Sequence, residues 1–188
     1  MKMFEGKCAI VTGAGQGIGR AVAKGLAEQG ANVVVAELNE ANGSRVAEEI
    51  NKAGGKSLAV ATDVSSEESV NAMVAETLRA FTQVDILVNN AAILPASSVA
   101  DMRVDEWVQV LQTNLNGTFY CCRAVMPGMK RQKKGRIVNF TSGRALQGSK
   151  DGRSLCGVQR GYHRFYEVAR TGAGALRDYR EQCVPRHH

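Results

Sequence analysis

Five short apolar runs alternate with longer stretches whose apolar residues recur three and four positions apart. This alternation restricts the first 140 residues to a parallel sheet with crossover helices. The runs are Cys8-Ala9-Ile10-Val11, Val33-Val34-Val35-Ala36, Leu58-Ala59-Val60-Ala61, Ile86-Leu87-Val88 and Ile137-Val138-Asn139-Phe140. Helices are predicted from Ile18 to Gln29, Asn39 to Ala53, Ser66 to Phe81 and about Val104 to Lys133. Gly30 and Gly54-Gly55 mark two helix ends, and Ser65-Ser66-Glu67-Glu68 marks a helix start.

A chain of 188 residues with 44% hydrophobic residues is long enough for one domain with a sizeable core. Disorder and disulfide scaffolding are poor descriptions of it. No segment reaches the roughly 20 apolar residues of a membrane span, and the first residues lack the apolar centre of a signal peptide. A cytoplasmic protein with reduced thiols is expected. The net charge of +6 is uneven, because residues 150–188 hold 8 of the 24 basic residues, 4 of the 18 acidic ones and all 3 His. That last segment also loses the helical and strand patterns. The chain is accordingly divided into an α/β domain over 1–148 and an irregular, disordered tail over 149–188.

The strongest local signal is Thr12-Gly13-Ala14-Gly15-Gln16-Gly17-Ile18-Gly19, directly after the first strand and opening the first helix. Glycines there permit a tight turn and bring backbone close to a pyrophosphate, while the helix N-terminus offers free N–H groups. The spacing is carried by Gly13, Gly17 and Gly19, since Ile18 stands where the commoner G-x-G-x-x-G has its third glycine. Glu37 ends the second strand about 20 residues after Gly17, where a carboxylate accepts hydrogen bonds from the adenosine ribose. Its charge would repel a 2′-phosphate, and no Arg or Lys lies between Lys24 and Arg45, so NAD is expected rather than NADP.

Further blocks follow in order, and together they resemble the short-chain dehydrogenase/reductase family. The turn is similar to the family's T-G-x-x-x-G-x-G, in which Gln16 and Ile18 also border the cofactor. Asp63-Val64 resembles the pair at adenine. Asn89-Asn90-Ala91-Ala92 resembles N-N-A-G, with Ala92 in place of the last Gly; Asn90 and Ala91 would flank the cofactor. Asn114 resembles the catalytic Asn, and Ser142, after the fifth strand, the catalytic Ser. The resemblance implies an α/β fold with a Rossmann-type doubly wound parallel sheet, five of the family's seven strands being present. It also implies hydride transfer between nicotinamide and a secondary alcohol or ketone, as in 3-oxoacyl-carrier-protein reductases. Ser142 would orient the substrate oxygen, a Tyr would move its proton, and a Lys would hold the nicotinamide ribose while lowering the Tyr pKa. Asn114 would hold a water leading from that Lys.

The family's Y-x-x-x-K should stand near position 155, where this chain reads Leu155-Cys156-Gly157-Val158-Gln159-Arg160. Tyr166-Glu167-Val168-Ala169-Arg170 imitates it too far along the chain, and Arg is a poor stand-in for Lys. Read one base later, the codons of Leu155-Cys156 admit Tyr and those of Gln159-Arg160 admit Lys. A frameshift between Ser142 and Leu155 is therefore expected, and DNA sequencing across those codons decides it: an intact frame ends the idea. The chain as written would lack the sixth and seventh strands and be inactive, a non-catalytic dinucleotide-binding remnant. Its fifth strand would form an exposed edge. The family assembles homo-oligomers through its fourth and fifth crossover helices, and loss of one would weaken assembly.

Other conspicuous residues are read as structural. Lys130-Arg131-Gln132-Lys133-Lys134 complements a helix C-terminus, so no nucleic-acid partner is expected. Cys8, Cys121, Cys122 and the three His lack metal-ligand spacing. Trp107 and the six Met are expected to pack the core. The expected partner is a small-molecule alcohol or ketone, with no metal and no membrane.

Overall fold

The computed structural model describes residues 2–98 and 100–141. Its strands are β1 (Cys8–Thr12), β2 (Asn32–Glu37), β3 (Lys56–Ala61), β4 (Ile86–Asn89) and β5 (Arg136–Asn139). They form one parallel sheet in the order β3-β2-β1-β4-β5. Chain order runs outward from β1 to β3, then returns to β4 on the other side of β1. This is the Rossmann-type doubly wound arrangement, with its switch point between β1 and β4.

The helices are α1 (Gly17–Glu28), α2 (Glu40–Lys52), α3 (Glu67–Phe81), α4 (Val104–Val110) and α5 (Gly117–Arg131). Asn39 caps α2 by accepting the Asn42 N–H at 3.0 Å, and Ser66 caps α3 by accepting that of Ser69 at 3.3 Å. Successive strand residues face opposite sides of the sheet. Ile10, Val34 and Leu87 pack with Met73 of α3 and Val125 of α5, while Val11, Val33 and Val35 pack with Ala23 of α1 and Val46 of α2. Burial on both faces explains why the strands read as unbroken apolar runs rather than alternating ones.

The fourth crossover departs from the single helix expected over about 104–133. A π-helical segment, Leu111–Asn116, separates α4 from α5. Trp107 is also not a core residue: it is 37% exposed, and Val104 and Val108 are exposed beside it. The apolar residues of α4 run round more than one face, so burying Val110 turns these three outward. No helix of the described residues is long and apolar enough to cross a membrane.

At the start of the sheet, Asp85 is 6% exposed and gathers three donors. They are Lys7 Nζ at 3.0 Å, the Cys8 N–H at 2.9 Å and Gln83 Nε2 at 2.8 Å. This carboxylate joins the first residues of β1 to those of β4. Burial pushes the Cys8 thiol up to about 12, and burial does the same for Cys121 on α5. At pH 8 their thiolate fraction is then about one in ten thousand. With Cys156 and Cys183, which lie outside the described residues, replaced by Ser, the folded protein is expected to leave Cys8 and Cys121 unmodified by a thiol reagent until denaturant is added. Rapid labelling of either thiol, located by mass spectrometry, would contradict that burial.

Candidate functional site

The C-terminal ends of β1 and β4 face the switch point, and Asn90 holds them together. Its N–H donates to Thr12 Oγ1 at 3.1 Å, and its Nδ2 donates to the Thr12 carbonyl at 2.9 Å and the Gly13 carbonyl at 3.0 Å. The Ala91 N–H donates to the same Thr12 hydroxyl at 3.1 Å. Thr12 is 1% exposed and Asn90 8%, so these bonds lie away from competing water.

The glycine turn leaves β1 against this anchor. Gly13 and Gly17 have φ of 62° and 53°, the left-handed region that side chains disfavour. Gly19 is required for a different reason: a Cβ there would stand 2.2 Å from the Gly13 carbonyl oxygen. Removing that one carbon brings the first turn of α1 against β1. The N–H groups of Gly17, Ile18 and Gly19 have no protein acceptor among the described residues, as expected for the first turn of a helix. They open into a cleft of about 540 Å³.

All ten residues expected at the cofactor line this one cleft: Gly13, Gln16, Gly17, Ile18, Gly19, Glu37, Asp63, Val64, Asn90 and Ala91. Glu37, at the end of β2, accepts the Gly15 N–H at 2.9 Å and the Asn39 N–H at 3.2 Å. No cation lies within ion-pair distance of it among the described residues. Asp63 Oδ1 is occupied by the N–H and hydroxyl of Ser65, at 2.9 and 2.6 Å, which shapes the turn after β3. Val64 is held by α5, where a Cβ on Gly117 would come within 2.9 Å of the Val64 carbonyl oxygen.

Asn114 falls in the π-helical segment and is 2% exposed. Its amide is bonded both ways to one residue, accepting the Ile93 N–H at 2.9 Å and donating to the Ile93 carbonyl at 2.9 Å. It therefore pins the loop after β4 to the fourth crossover, and Ile93 itself lines the cleft. Ser142 and Tyr166, together with Leu155–Arg160, lie outside the described residues.

Several cleft residues escaped the sequence reading. Gln109 and Thr113 line it from the fourth crossover, one turn apart, and Leu38 lines it directly after Glu37 while 71% exposed. An exposed leucine at a strand end was a usable signal; the other two needed the helix to be placed. Arg45, which bounds the cation-free stretch after Lys24, reaches back to the turn: its Nη2 donates to the Gly15 carbonyl at 3.0 Å.

A cleft at the switch point of a doubly wound sheet, with unbonded helix N–H groups at a glycine turn, fits a dinucleotide phosphate. The family model described as short chain dehydrogenase matches residues 7–170. The chain belongs to the short-chain dehydrogenase family. An uncharacterized oxidoreductase of Thermotoga maritima is 42% identical over 149 residues, covering 79% of this chain and 58% of its own. A short chain dehydrogenase/reductase of Aspergillus oryzae is 47% identical over 142 residues, covering 74% of this chain and 54% of its own. The chain thus spans little more than half the length of these relatives. Among solved structures, 7 alpha-hydroxysteroid dehydrogenase complexed with NADH and 7-oxo glycochenodeoxycholic acid superposes with a TM-score of 0.89 at 28% identity. That match covers 97% of this chain and 71% of the other.

Proposed function

We propose that this short-chain dehydrogenase chain is an NAD-binding unit of an oxidoreductase acting on a secondary alcohol or ketone, similar to 3-oxoacyl-carrier-protein reductases. As written, it binds the cofactor without turning substrate over. The observation that carries the reading is Glu37 beside the glycine turn in a single cleft. The N–H groups of Gly17, Ile18 and Gly19 would take the pyrophosphate, and Glu37 would accept ribose hydroxyls while opposing a 2′-phosphate. When bound, the nicotinamide supplies or accepts a hydride.

Ser142 would orient the substrate oxygen, and Asn114, through Ile93, would position the loop beside it. The substrate oxygen also needs a proton donor of suitable pKa, and the register where the family places its Tyr and Lys holds Leu155 and Gln159. This absence is why turnover is not expected, and it supports the boundary at 148, although the family match itself runs on to residue 170. The resemblance of the solved neighbour, whose complex contains NADH, supports the choice of a nicotinamide cofactor.

Calorimetric titration of the full chain should give saturable NAD binding, with NADP weaker by at least about tenfold for one added like-charge contact. A parallel assay with simple ketones and alcohols should show no rate above the cofactor-only control. Absence of NAD binding would remove the dinucleotide reading. Turnover abolished by Ser142→Ala would show instead that the chain is a working catalyst.

A further inference from the structure

Along the fourth crossover, Val110 and Asn114 are buried and turn inward. The neighbouring stripe is Gln109, Thr113 and Gly117. Gly117 is where the crossover meets the turn after β3, since a Cβ there would come within 2.9 Å of the Val64 carbonyl oxygen and 3.0 Å of Val64 Cγ2. Residues four apart stand above one another on a helix, so Thr113 and Gln109 continue from Val64 along the wall of the cleft, and both line it. The Gln112 amide oxygen is taken by Asn116 Nδ2 at 2.7 Å. Gln109 is exposed, and its amide makes no hydrogen bond among the described residues. Beside Val64, both bonds that Asp63 accepts from Ser65 go to Oδ1, which leaves Oδ2 to accept another. Val64 and the exposed Leu38 supply apolar surface to the same cleft.

We infer that Gln109 is a base-reading residue, which distinguishes a 6-amino purine from a 6-oxo purine through the amino group and N7. The inference rests on the proposed dinucleotide reading and adds to it a residue outside the motif blocks of the sequence. Leu38 and Val64 offer apolar surface to the faces of a flat ring, so discrimination must come from its edge. The amino group of adenine has two hydrogens to donate, and N7 beside it is an acceptor. Asp63 Oδ2 can accept one of those hydrogens, but a carboxylate has nothing to donate to a ring nitrogen. A glutamine amide does both: Oε1 accepts the other amino hydrogen while Nε2 donates to N7, the bidentate pairing that Gln makes with adenine. On that edge a 6-oxo purine presents two acceptors, so only one of the two bonds can form.

Titration of the full chain with NAD and with nicotinamide hypoxanthine dinucleotide tests this without turnover, because the two ligands differ only at the 6-position of the purine. The unmodified chain should prefer NAD. Gln109→Met, of similar length but without the amide, should lower that preference by about fivefold or more, the low end for a bidentate side chain on adenine. The loss should fall on NAD and leave the hypoxanthine ligand nearly unchanged. Gln109→Glu keeps the acceptor and loses the donor, so it should retain part of the preference. A preference unchanged in Gln109→Met overturns the assignment, and so does an equal loss for both ligands, the result expected of a side chain that merely packs against the base. In both cases NAD still binds and the dinucleotide reading stands. Failure of the unmodified chain to bind either dinucleotide overturns both. Thermal denaturation of each variant checks that the fold is retained, which the exposure of Gln109 favours.

Discussion

Gly19→Ala is expected to weaken NAD binding by at least about 30-fold and to destabilise the protein by about 3 kcal/mol, the upper range for inserting atoms into a packed interior. The added carbon would stand 2.2 Å from the Gly13 carbonyl oxygen and 2.5 Å from Asn90 Nδ2. Neither neighbour can yield easily. Asn90 Nδ2 is bonded to two carbonyls of the β1 end, and Gly13 is already in the left-handed region at φ 62°. The start of α1 must therefore lift, carrying its free N–H groups away from the position a pyrophosphate would take. Gly17→Ala provides the contrast. A Cβ there meets nothing within 4 Å, and only the φ of 53° opposes it, a cost of about 1–2 kcal/mol. Calorimetry with NAD and thermal denaturation should both rank Gly19→Ala as the more damaging change; the opposite order would contradict the packing described for the turn.

Asp85→Ala is expected to cost about 1–3 kcal/mol, because the buried Cys8 N–H is left without its acceptor while Lys7 and Gln83, which are part-exposed, lose a partner that water replaces. The Cys8 N–H and Gln83 Nε2 lose their acceptor, and Lys7 loses its counter-charge. For a domain of this size the melting temperature should fall by roughly 2–12 °C. The hydrogen bond from Lys7 to Asp85 raises the Lys7 pKa above its ordinary 10.5. A raised folded-state pKa means that the ion-pair contribution is fully present below pH 10.5 and is lost as pH rises through the folded value. The stability gap between the unmodified protein and Asp85→Ala should therefore narrow above pH 10.5. It should not close, since the Cys8 and Gln83 bonds do not depend on Lys7. A gap of less than 1 °C at pH 8 would show that Asp85 does not join β1 to β4 as described.

The cleft was legible because its parts sit at ends of elements that local patterns mark. A glycine turn follows an apolar run, Glu37 closes the next run, and Asp63 and Asn90 close two more. Parallel order brings those C-terminal ends to one edge, so the ten residues expected at the cofactor line one cleft. Arg45 was not legible in the same way. Its contact with Gly15 spans 30 residues and depends on where α2 lies over the sheet. Trp107 failed for a related reason: apolar character marks a residue for burial, but the direction in which a short helix turns its faces is set by its neighbours. The π-helical segment left no mark in the apolar spacing, which reads almost the same through Leu111–Asn116 as through a regular helix.

The sequence by itself determined the parallel α/β order, the glycine turn and the acidic strand end, because backbone freedom and apolar periodicity are local properties. It also set Leu155 and Gln159 at the register where the family's pattern has Tyr and Lys. Tertiary structure alone decided that Asn114 spends its amide on Ile93, that Asp85 gathers the start of the sheet, and that Arg45 reaches Gly15. Each of these is a contact between segments far apart in the chain, fixed by helix placement on the sheet and by the need of buried polar groups for partners.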